Sequence, residues 1–201
     1  MQGSTPVDCE VLNVIQGAGI WPDCEDKTQL LQAINTLISG GGSGGGNQDQ
    51  FLHMRHIAND GVGGGVAVAG SRQTRTLNSN MLNTIPGSMF DPVANTFSLP
   101  AGRYIVDGWQ TFAYVAKARI YLESTEGDAV SLIGGAAVYH NESLYASSCI
   151  PLGSQVITLS QPTTFEFRYR VALGGDATNQ GYPMSFGEQE VYADLVVRKL
   201  A

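Results

Sequence analysis

The three histidines are the side chains of this sequence best suited to metal binding or proton transfer. His53 and His56 are separated by an odd number of positions, and in a strand this places two side chains on opposite faces of the sheet. We therefore expect ordinary polar positions for both rather than one shared metal site. If three chains surround one axis, a ring of three copies of either imidazole could still bind a metal, and that alternative stays open.

Four glycines, at positions 61, 63, 64 and 65, give part of the chain the composition of a phosphate-binding loop. Such a loop needs a following Gly-Lys-Ser or Gly-Lys-Thr and a helix that opens after it, and neither follows here. The glycines instead predict a place where two backbone segments pack closely.

The sequence offers no clear catalytic set. No serine, histidine and acid stand out as a nucleophilic triad. Glycoside hydrolysis needs two carboxyl groups across a cleft, and the acids of the later part of the chain are sparse and fall in predicted turns or on exposed strand faces. We expect no enzymatic activity and no cofactor.

Charge and composition exclude several classes of partner. The formal net charge is −7 and charged residues make up 14% of the chain, whereas nucleic-acid binding needs clustered lysine and arginine. No apolar run approaches the ~18 residues that span a membrane, and no basic start precedes an apolar stretch. The three cysteines lack the pattern of a disulfide framework. We expect a protein that binds no nucleic acid, inserts into no membrane and folds in a reducing cytoplasm.

The first part of the chain predicts a helical hairpin. Gly17 and Gly19 end one helix, and Asp26 begins the next. Two helices of about three turns each are marginal alone in water, so their apolar faces need a partner. We therefore assign residues 1–39 to attachment or trimerisation. The apolar face of the second helix includes Leu30, Ile34 and Leu37.

Residues 40–48 have the composition of a flexible linker, because residues 40–46 consist of six glycines around one serine. The run is similar to an engineered spacer, and whether it is natural stays open. In either case it marks a boundary between the helical segment and a second domain at residues 49–201.

The pattern after residue 49 is that of strands. Apolar and polar residues alternate with a period of two in several short runs, with glycine, proline and aspartate between them. In the runs 165–171 and 191–197 the odd-numbered residues are apolar and are expected to face the core. Short strands at this spacing predict a β-sandwich or a jelly-roll, so the expected fold class is mainly β.

Two short motifs are the most specific features of this part: Leu99-Pro100-Ala101-Gly102 between two predicted strands, and Glu190-Val191-Tyr192-Ala193 in the last one. Other motifs lie at residues 74–78, 85–88, 118–122 and 163–169. In this order they resemble the C-terminal domain of bacteriophage tail fibres, a domain similar to the trimeric jelly-roll of tumour necrosis factor and the complement globular heads. Separately, Leu12-Asn13, Gly19-Ile20, Pro22-Asp23 and residues 28–34 together resemble a segment common in prophage tail-fibre proteins.

The resemblance implies a jelly-roll β-sandwich that forms a homotrimer, is located in a virion tail fibre and is assembled in the host cytoplasm. Residues 1–39 would contact other tail or baseplate proteins, and the β-domain would bind a glycan or protein of the host surface. Tyr121 and Tyr192, on the second faces of their strands, fit subunit contacts. The chain has no extended repeat shaft, so a fibre tip, an accessory fibre and a baseplate component all stay open.

Two predicted loops carry the candidate binding residues. Loops on a rigid β-scaffold commonly bind partners, and tyrosine and asparagine supply contact area and hydrogen bonds at low entropic cost. The candidates are Tyr139, His140, Asn141 and Tyr145 in one loop, and Asp176, Asn179 and Tyr182 in the other.

The leading hypothesis for the function of the chain is receptor binding. The first alternative is a purely structural virion protein, and the second is an enzyme that degrades host polysaccharide.

Overall fold

The computed structural model divides the chain into two compact units, Met1–Gln48 and Asp49–Ala201. It describes residues 6–23, 25–39, 50–138 and 147–200. None of the helices in the described residues combines the length and the apolarity needed to cross a membrane.

The first unit contains two helices that pack against each other, α1 (Pro6–Gly17) and α2 (Gln29–Ser39). Gly19 follows α1 with a φ of 76°, and across this turn the amide of Ile20 donates to the carbonyl of Ile15 (3.2 Å). This left-handed glycine ends the helix as the sequence predicts. Ile15 of α1 and Ala33 of α2 are buried.

The turn before α2 is held by side chains. Asp26 accepts hydrogen bonds from the amide and the hydroxyl of Thr28 (2.8 and 2.6 Å) and so closes a turn that precedes the helix. α2 therefore begins at Gln29, whereas the sequence predicts a start directly after Asp26. Gln29 is the second residue that holds this turn. Its side-chain oxygen accepts from the amide of Asp23 (2.7 Å) and its nitrogen donates to the carbonyl of Trp21 (2.8 Å). Gln29 thereby fixes the connection between the two helices.

The predicted apolar face of α2 is only partly covered within this unit. Leu30 and Ile34 are exposed. Leu37 lies in α2, but its side chain lies outside the described part. A role of this face in attachment or trimerisation stays a prediction.

The second unit consists of strands. Within residues 50–138 and 147–200 there are twelve, joined by turns and loops. They are β1 (Phe51–Ala58), β2 (Gln73–Thr74), β3 (Ser79–Asn83), β4 (Met89–Asp91), β5 (Thr96–Leu99), β6 (Gly102–Ala113), β7 (Lys117–Glu126), β8 (Ser131–Val138), β9 (Ser147–Pro151), β10 (Gln155–Leu159), β11 (Thr163–Val171) and β12 (Glu190–Lys199).

The strands form two antiparallel sheets that enclose one core. Sheet A has the order β10–β6–β12–β1–β3, with β9 also paired to β6. Sheet B has the order β4–β5–β11–β7–β8, with β2 also paired to β11. Buried side chains from both sheets, such as Leu52 and Leu195 of sheet A and Phe167 of sheet B, belong to one apolar cluster. The predicted mainly-β jelly-roll sandwich with a short helical hairpin before it is confirmed.

β11 has the alternation that the sequence predicts. Phe165, Phe167, Tyr169 and Val171 are buried, and the polar residues between them face away from the core. A strand with one face on the core and one face outside must alternate in this way, so the pattern alone identifies it.

β12 departs from its predicted pattern at its start. Ala193 and the two following odd-numbered residues are buried in the core, but Val191 is only half-buried. The register shifts, so that His56 lies opposite Ala193 and Ile57 opposite Val191. Tyr192 is therefore an extra residue, a β-bulge, which breaks the alternation and removes its own backbone from the β1–β12 ladder.

Candidate functional site

Two loops meet at the end of the sandwich where β1 ends and β12 begins. The first spans residues 59–72 and the second residues 172–189. Their backbones bond directly to each other, for example from the amide of Gly64 to the carbonyl of Gly181 (2.9 Å). Further bonds of this kind join Gln180 to Gly65 (3.0 Å) and Gly175 to Ala67 (3.0 Å). Because each loop satisfies backbone groups of the other, the two form one ordered layer.

The glycines of the first loop permit this close approach. A Cβ atom on Gly64 would overlap the carbonyl oxygen of Gln180. On the second loop, Gly181 has a φ of 137°, and a Cβ there would overlap the ring of Tyr192. The glycine run therefore serves close backbone packing, as its composition predicts.

A fully buried arginine lies beneath the two loops. Arg75 follows β2, and its guanidinium donates to the carbonyls of Gln180 (2.7 Å) and Tyr192 (2.9 Å). The bulge at Tyr192 leaves that carbonyl free to accept. Burial lowers the pKa of Arg75 to about 9, so the side chain still carries its charge at pH 7. No carboxylate among the described residues pairs with it, and carbonyl dipoles solvate the charge instead.

His56 adjoins Arg75 and is neutral at pH 7. Its Nδ1 lies 3.3 Å from a nitrogen of Arg75; a guanidinium only donates, so Nδ1 accepts and the ring proton is on Nε2. Burial, together with the nearby charge of Arg75, lowers the pKa of His56 to about 4. His53 lies on the opposite face of sheet A, as its spacing from His56 predicts.

The tip of the second loop is held by carboxylates. Oε1 of Glu190 accepts from the amides of Met184 (2.9 Å) and Ser185 (3.0 Å). The carboxylate of Asp60 accepts from the amide that follows Phe186 (3.0 Å). These bonds fix the backbone on both sides of Phe186, so the loop would lose little conformational entropy when a partner binds there.

The loops display apolar side chains. Phe186 is 81% exposed, Met184 58% and Tyr182 39%, and Val62 of the first loop is 52% exposed. We call these four residues the loop surface. The ring of Tyr182 is also in edge contact with Tyr114, with centroids 6.1 Å apart. Exposed apolar side chains on a fixed backbone are typical of a site that binds a partner.

The three candidates predicted on the second loop differ in what they can touch. Tyr182 belongs to the loop surface. Asp176 is exposed, but its carboxylate accepts from the amide and the hydroxyl of Thr178 (2.8 and 2.5 Å), which lowers the pKa of Asp176. Asn179 is instead buried: its side chain accepts from the amide of Asp176 (2.7 Å) and donates to the carbonyl of Ala113 (3.1 Å). Asn179 therefore shapes the loop from within.

Sequence reasoning missed Met184, Phe186 and Val62, because it selected polar and tyrosine residues in loops. The signal was present in residues 181–187, where the large side chains of Tyr182, Met184 and Phe186 stand among glycine, proline and serine. The other predicted candidates, Tyr139, His140, Asn141 and Tyr145, lie outside the described residues, and their role in binding stays a prediction.

The outer face of sheet A carries an ion cluster beside several half-buried apolar residues, with the exposed Asp107 and Arg198 on the same face. Oδ2 of Asp194 lies 2.9 Å from Nε2 of His53 and 2.6 Å from Nε of Arg55. Half-buried apolar residues of β1, β6 and β12 lie on this face, and one of them, Trp109, is directly opposite Asp194. They are Phe51, Ile105, Trp109 and Val196, and we call them the apolar face.

The two tyrosines predicted in subunit contacts are covered by their own chain. Tyr192 is buried, and its hydroxyl donates to the carbonyl of Val62 (2.7 Å). Tyr121 is buried under the guanidinium of Arg72, which lies 4.0 Å from the ring centroid. Strand alternation predicts that both side chains are exposed on the outer faces of their strands. They are buried instead, because residues of a loop distant in sequence cover both.

Comparison with known proteins identifies the fold. No family model and no curated protein matches the chain. The structure of murine APRIL at pH 8.0 is similar, with a TM-score of 0.50 and 13% identity over 76% of this chain and 100% of that chain. The structure of Eiger TNF from S. frugiperda also has a TM-score of 0.50 and 13% identity, over 76% and 93%. The β unit therefore has a jelly-roll fold like that of tumour necrosis factor proteins.

Proposed function

We propose that the chain is a homotrimeric attachment protein whose β unit binds a receptor on the host cell through the loop surface. The observation that carries this proposal is the display of Phe186 and Met184 on a loop that Glu190 and Arg75 hold in place. Exposed apolar anchors on a preorganised backbone favour binding, because few degrees of freedom are lost on contact.

Three-fold assembly through the apolar face is the second part of the proposal. An interface there would cover Trp109, and aromatic residues are enriched in interfaces. The ion cluster around Asp194 would fix the register of the subunits. The resemblance of the sequence motifs to trimeric tail-fibre domains supports the same assembly. Three loop surfaces on one trimer would add their binding, so that weak single contacts suffice.

The proposed setting is the tip of a bacteriophage tail fibre. The support is the order of the motifs in residues 74–195 and the separate resemblance of motifs within residues 12–34 to prophage tail-fibre proteins. In this setting the helical unit binds other tail or baseplate proteins, and the exposed Leu30 and Ile34 of α2 supply apolar contact area.

The test uses the purified full-length protein, labelled with a fluorophore at its N-terminus, and flow cytometry on a panel of bacterial strains. We expect some strains to bind the label, and Phe186→Ser and Met184→Ser each to reduce binding at least ~10-fold, the effect of removing a hot-spot side chain. Val93→Ser removes an apolar side chain that is 90% exposed in the turn between β4 and β5 and should not change binding. Equal binding by Phe186→Ser and the unchanged protein contradicts the proposal.

A purely structural virion protein is the second candidate, and the partly exposed apolar side chains of α2 favour it. Deletion of residues 1–46 separates the two functions. Binding of the remaining β unit to cells supports the receptor role. A β unit that binds no strain, together with loss of the truncated chain from phage particles, supports the structural role.

An enzyme that degrades polysaccharide is not proposed. Glu123 and Glu166 lie opposite each other in the β7–β11 ladder, but Arg168 bonds both carboxylates (3.2 and 2.5 Å). They lie on an outer sheet face, whereas glycoside hydrolysis needs the two groups across a bound sugar. Reducing sugar released from host envelopes by the purified protein would contradict this assignment.

A further inference from the structure

Three cations lie together on the outer face of sheet B. In the β7–β11 ladder Arg119 lies directly opposite Arg170. Lys117 is two positions before Arg119 in β7, so its side chain is on the same face. Like charges directly opposite each other destabilise an antiparallel pair. The free chain gains nothing from this arrangement, and a bound counter-charge would relieve it.

The other cations of this face are matched by acids. Arg72 pairs with Glu123, and Arg168 pairs with both Glu123 (3.2 Å) and Glu166 (2.5 Å). In contrast, no carboxylate of the described residues pairs with Lys117, Arg119 or Arg170. These three cations without a carboxylate partner therefore form a local positive patch on a chain whose net charge is −7.

The three cations line a groove of about 420 Å³, which we call the cation groove. Its volume falls in the range of small-ligand sites, about 300 to 1,000 Å³. The other lining side chains are mostly small and apolar, so they leave room for a ring between the charges. They include Gly70, Ala136, Ala137, Val138 and Ala172.

We propose that the cation groove binds an acidic saccharide, a sugar ring that carries a carboxylate or a phosphate. The planar guanidinium groups of Arg119 and Arg170 each match such an anion with two parallel hydrogen bonds, and the ammonium of Lys117 adds a point charge. The small apolar walls accept the carbon face of the ring. This site is distinct from the loop surface and does not depend on receptor binding there.

The net charge of the chain favours a compact anion over a long polyanion. A nucleic acid that crosses the groove would extend over a surface with an excess of acids, which repels its phosphates. A single carboxylate or phosphate bound in the groove would lie near all three cations, and salt screens charges least at such short separations.

The test is saturation-transfer-difference NMR on the full-length protein with glucuronic acid, glucose 6-phosphate and glucose as probes. We expect at least one acidic sugar to bind and glucose not to bind, and the comparison of the two acids separates carboxylate from phosphate recognition. Arg119→Gln and Arg170→Gln should each weaken binding at least ~10-fold, the effect of losing hydrogen bonds to a charged group. Lys27→Gln removes one positive charge from the helical unit and should leave binding unchanged.

A melting measurement shows whether the variants stay folded. Because each arginine substitution removes a like-charge contact, Arg119→Gln and Arg170→Gln should raise Tm by about 1 to 3 °C at low salt. If an arginine variant binds the sugar less tightly although its Tm is higher, the weaker binding results from the change in the cation groove and not from unfolding. The proposal is overturned if the acidic sugars bind no better than glucose, or if both arginine variants bind them as the unchanged protein does. Tighter binding of a single-stranded oligonucleotide at the same arginines also overturns it.

Discussion

The guanidinium of Arg75 donates to the carbonyl oxygen of Tyr192 over 2.9 Å, although 117 positions separate the two residues in sequence. Tyr192 is the residue that bulges from the β1–β12 ladder. The contact joins the segment after β2, in sheet B, to the last strand of sheet A directly beneath the two loops. The proposed loop surface therefore depends on a polar contact that is fully enclosed by the sandwich.

Replacement of Arg75 by methionine tests that dependence. Arg75→Met removes two charge-assisted hydrogen bonds and leaves the carbonyls of Gln180 and Tyr192 with the hydroxyl of Thr111 as their remaining side-chain donor (3.1 and 3.0 Å), and we expect the free energy of unfolding to fall by about 3 kcal/mol. Urea denaturation measures the loss, and faster hydrogen exchange at the amide of Gly64 would locate it in the loops. Arg103→Met, at an exposed position of β6, is the control and should change stability by less than about 0.5 kcal/mol. Equal losses in the two variants contradict the role of Arg75.

His56 predicts a stability that depends on pH. Its pKa is about 4 in the folded chain against 6.5 for the unperturbed group, so the unfolded chain takes up a proton first as the pH falls. The stabilisation is complete above about pH 6.5 and is lost between there and about pH 4, by at most ~3 kcal/mol. Urea midpoints measured across this window give the slope.

The variant His56→Gln should remove most of that slope, because glutamine does not titrate. Hydrogen bonds hold the pKa values of Asp91, Asp128 and Asp176 below 3.8, so their contributions are lost at lower pH than that of His56. An unchanged slope in His56→Gln would show that another group controls the stability in this window.

Close packing of the loops is tested at Gly64. Gly64→Ala places a methyl group against the carbonyl oxygen of Gln180, and we expect about 2 kcal/mol of destabilisation together with weaker binding to cells. Val66→Ala, in the same loop, shortens an exposed side chain and serves as the control. Loss of cell binding in both variants alike would contradict the proposed geometry.

The apolar face is tested by tryptophan fluorescence. The chain has two tryptophans, and Trp21→Phe leaves Trp109 as the reporter. Asp194→Asn removes the acid that His53 and Arg55 share, so we expect weaker assembly, a red-shifted emission and stronger quenching by acrylamide. Glu188→Gln, in the exposed loop, removes the same charge as a control and should leave the spectrum unchanged. Equal spectra for all three proteins would place Trp109 outside any interface.

The sequence predicted those elements in which local pattern and tertiary environment agree. The alternation of β11 was sufficient to identify its buried face, because the strand lies between the core and the outer surface along its whole length. The start of β12 was not predictable in this way. The bulge at Tyr192 accompanies a hydrogen bond to Arg75, which is distant in sequence. Such a contact does not change the apolar–polar alternation of either segment, so the sequence pattern cannot reveal it.

The candidate site was predictable only in its location. The predicted loop that contains Asp176, Asn179 and Tyr182 does connect two strands, β11 and β12, and Tyr182 in it is exposed. Asn179 was predicted to bind a partner because it is a polar residue in a loop. Residue type alone does not distinguish an exposed asparagine that can bind a ligand from a buried one, such as Asn179, that bonds the backbone of its own chain. Phe186 was not predicted, because it is apolar. Its exposure depends on the conformation of the loop tip, which the carboxylates of Glu190 and Asp60 hold in place.

Sedimentation equilibrium of the full-length protein at micromolar concentration tests the central claim, that two sister chains cover the apolar face of a third. The account predicts a single species with three times the 21.3 kDa mass of one chain. A well-folded species with the mass of one chain would contradict it, because Trp109 and its apolar neighbours would then face water and the avidity of three loop surfaces would be lost.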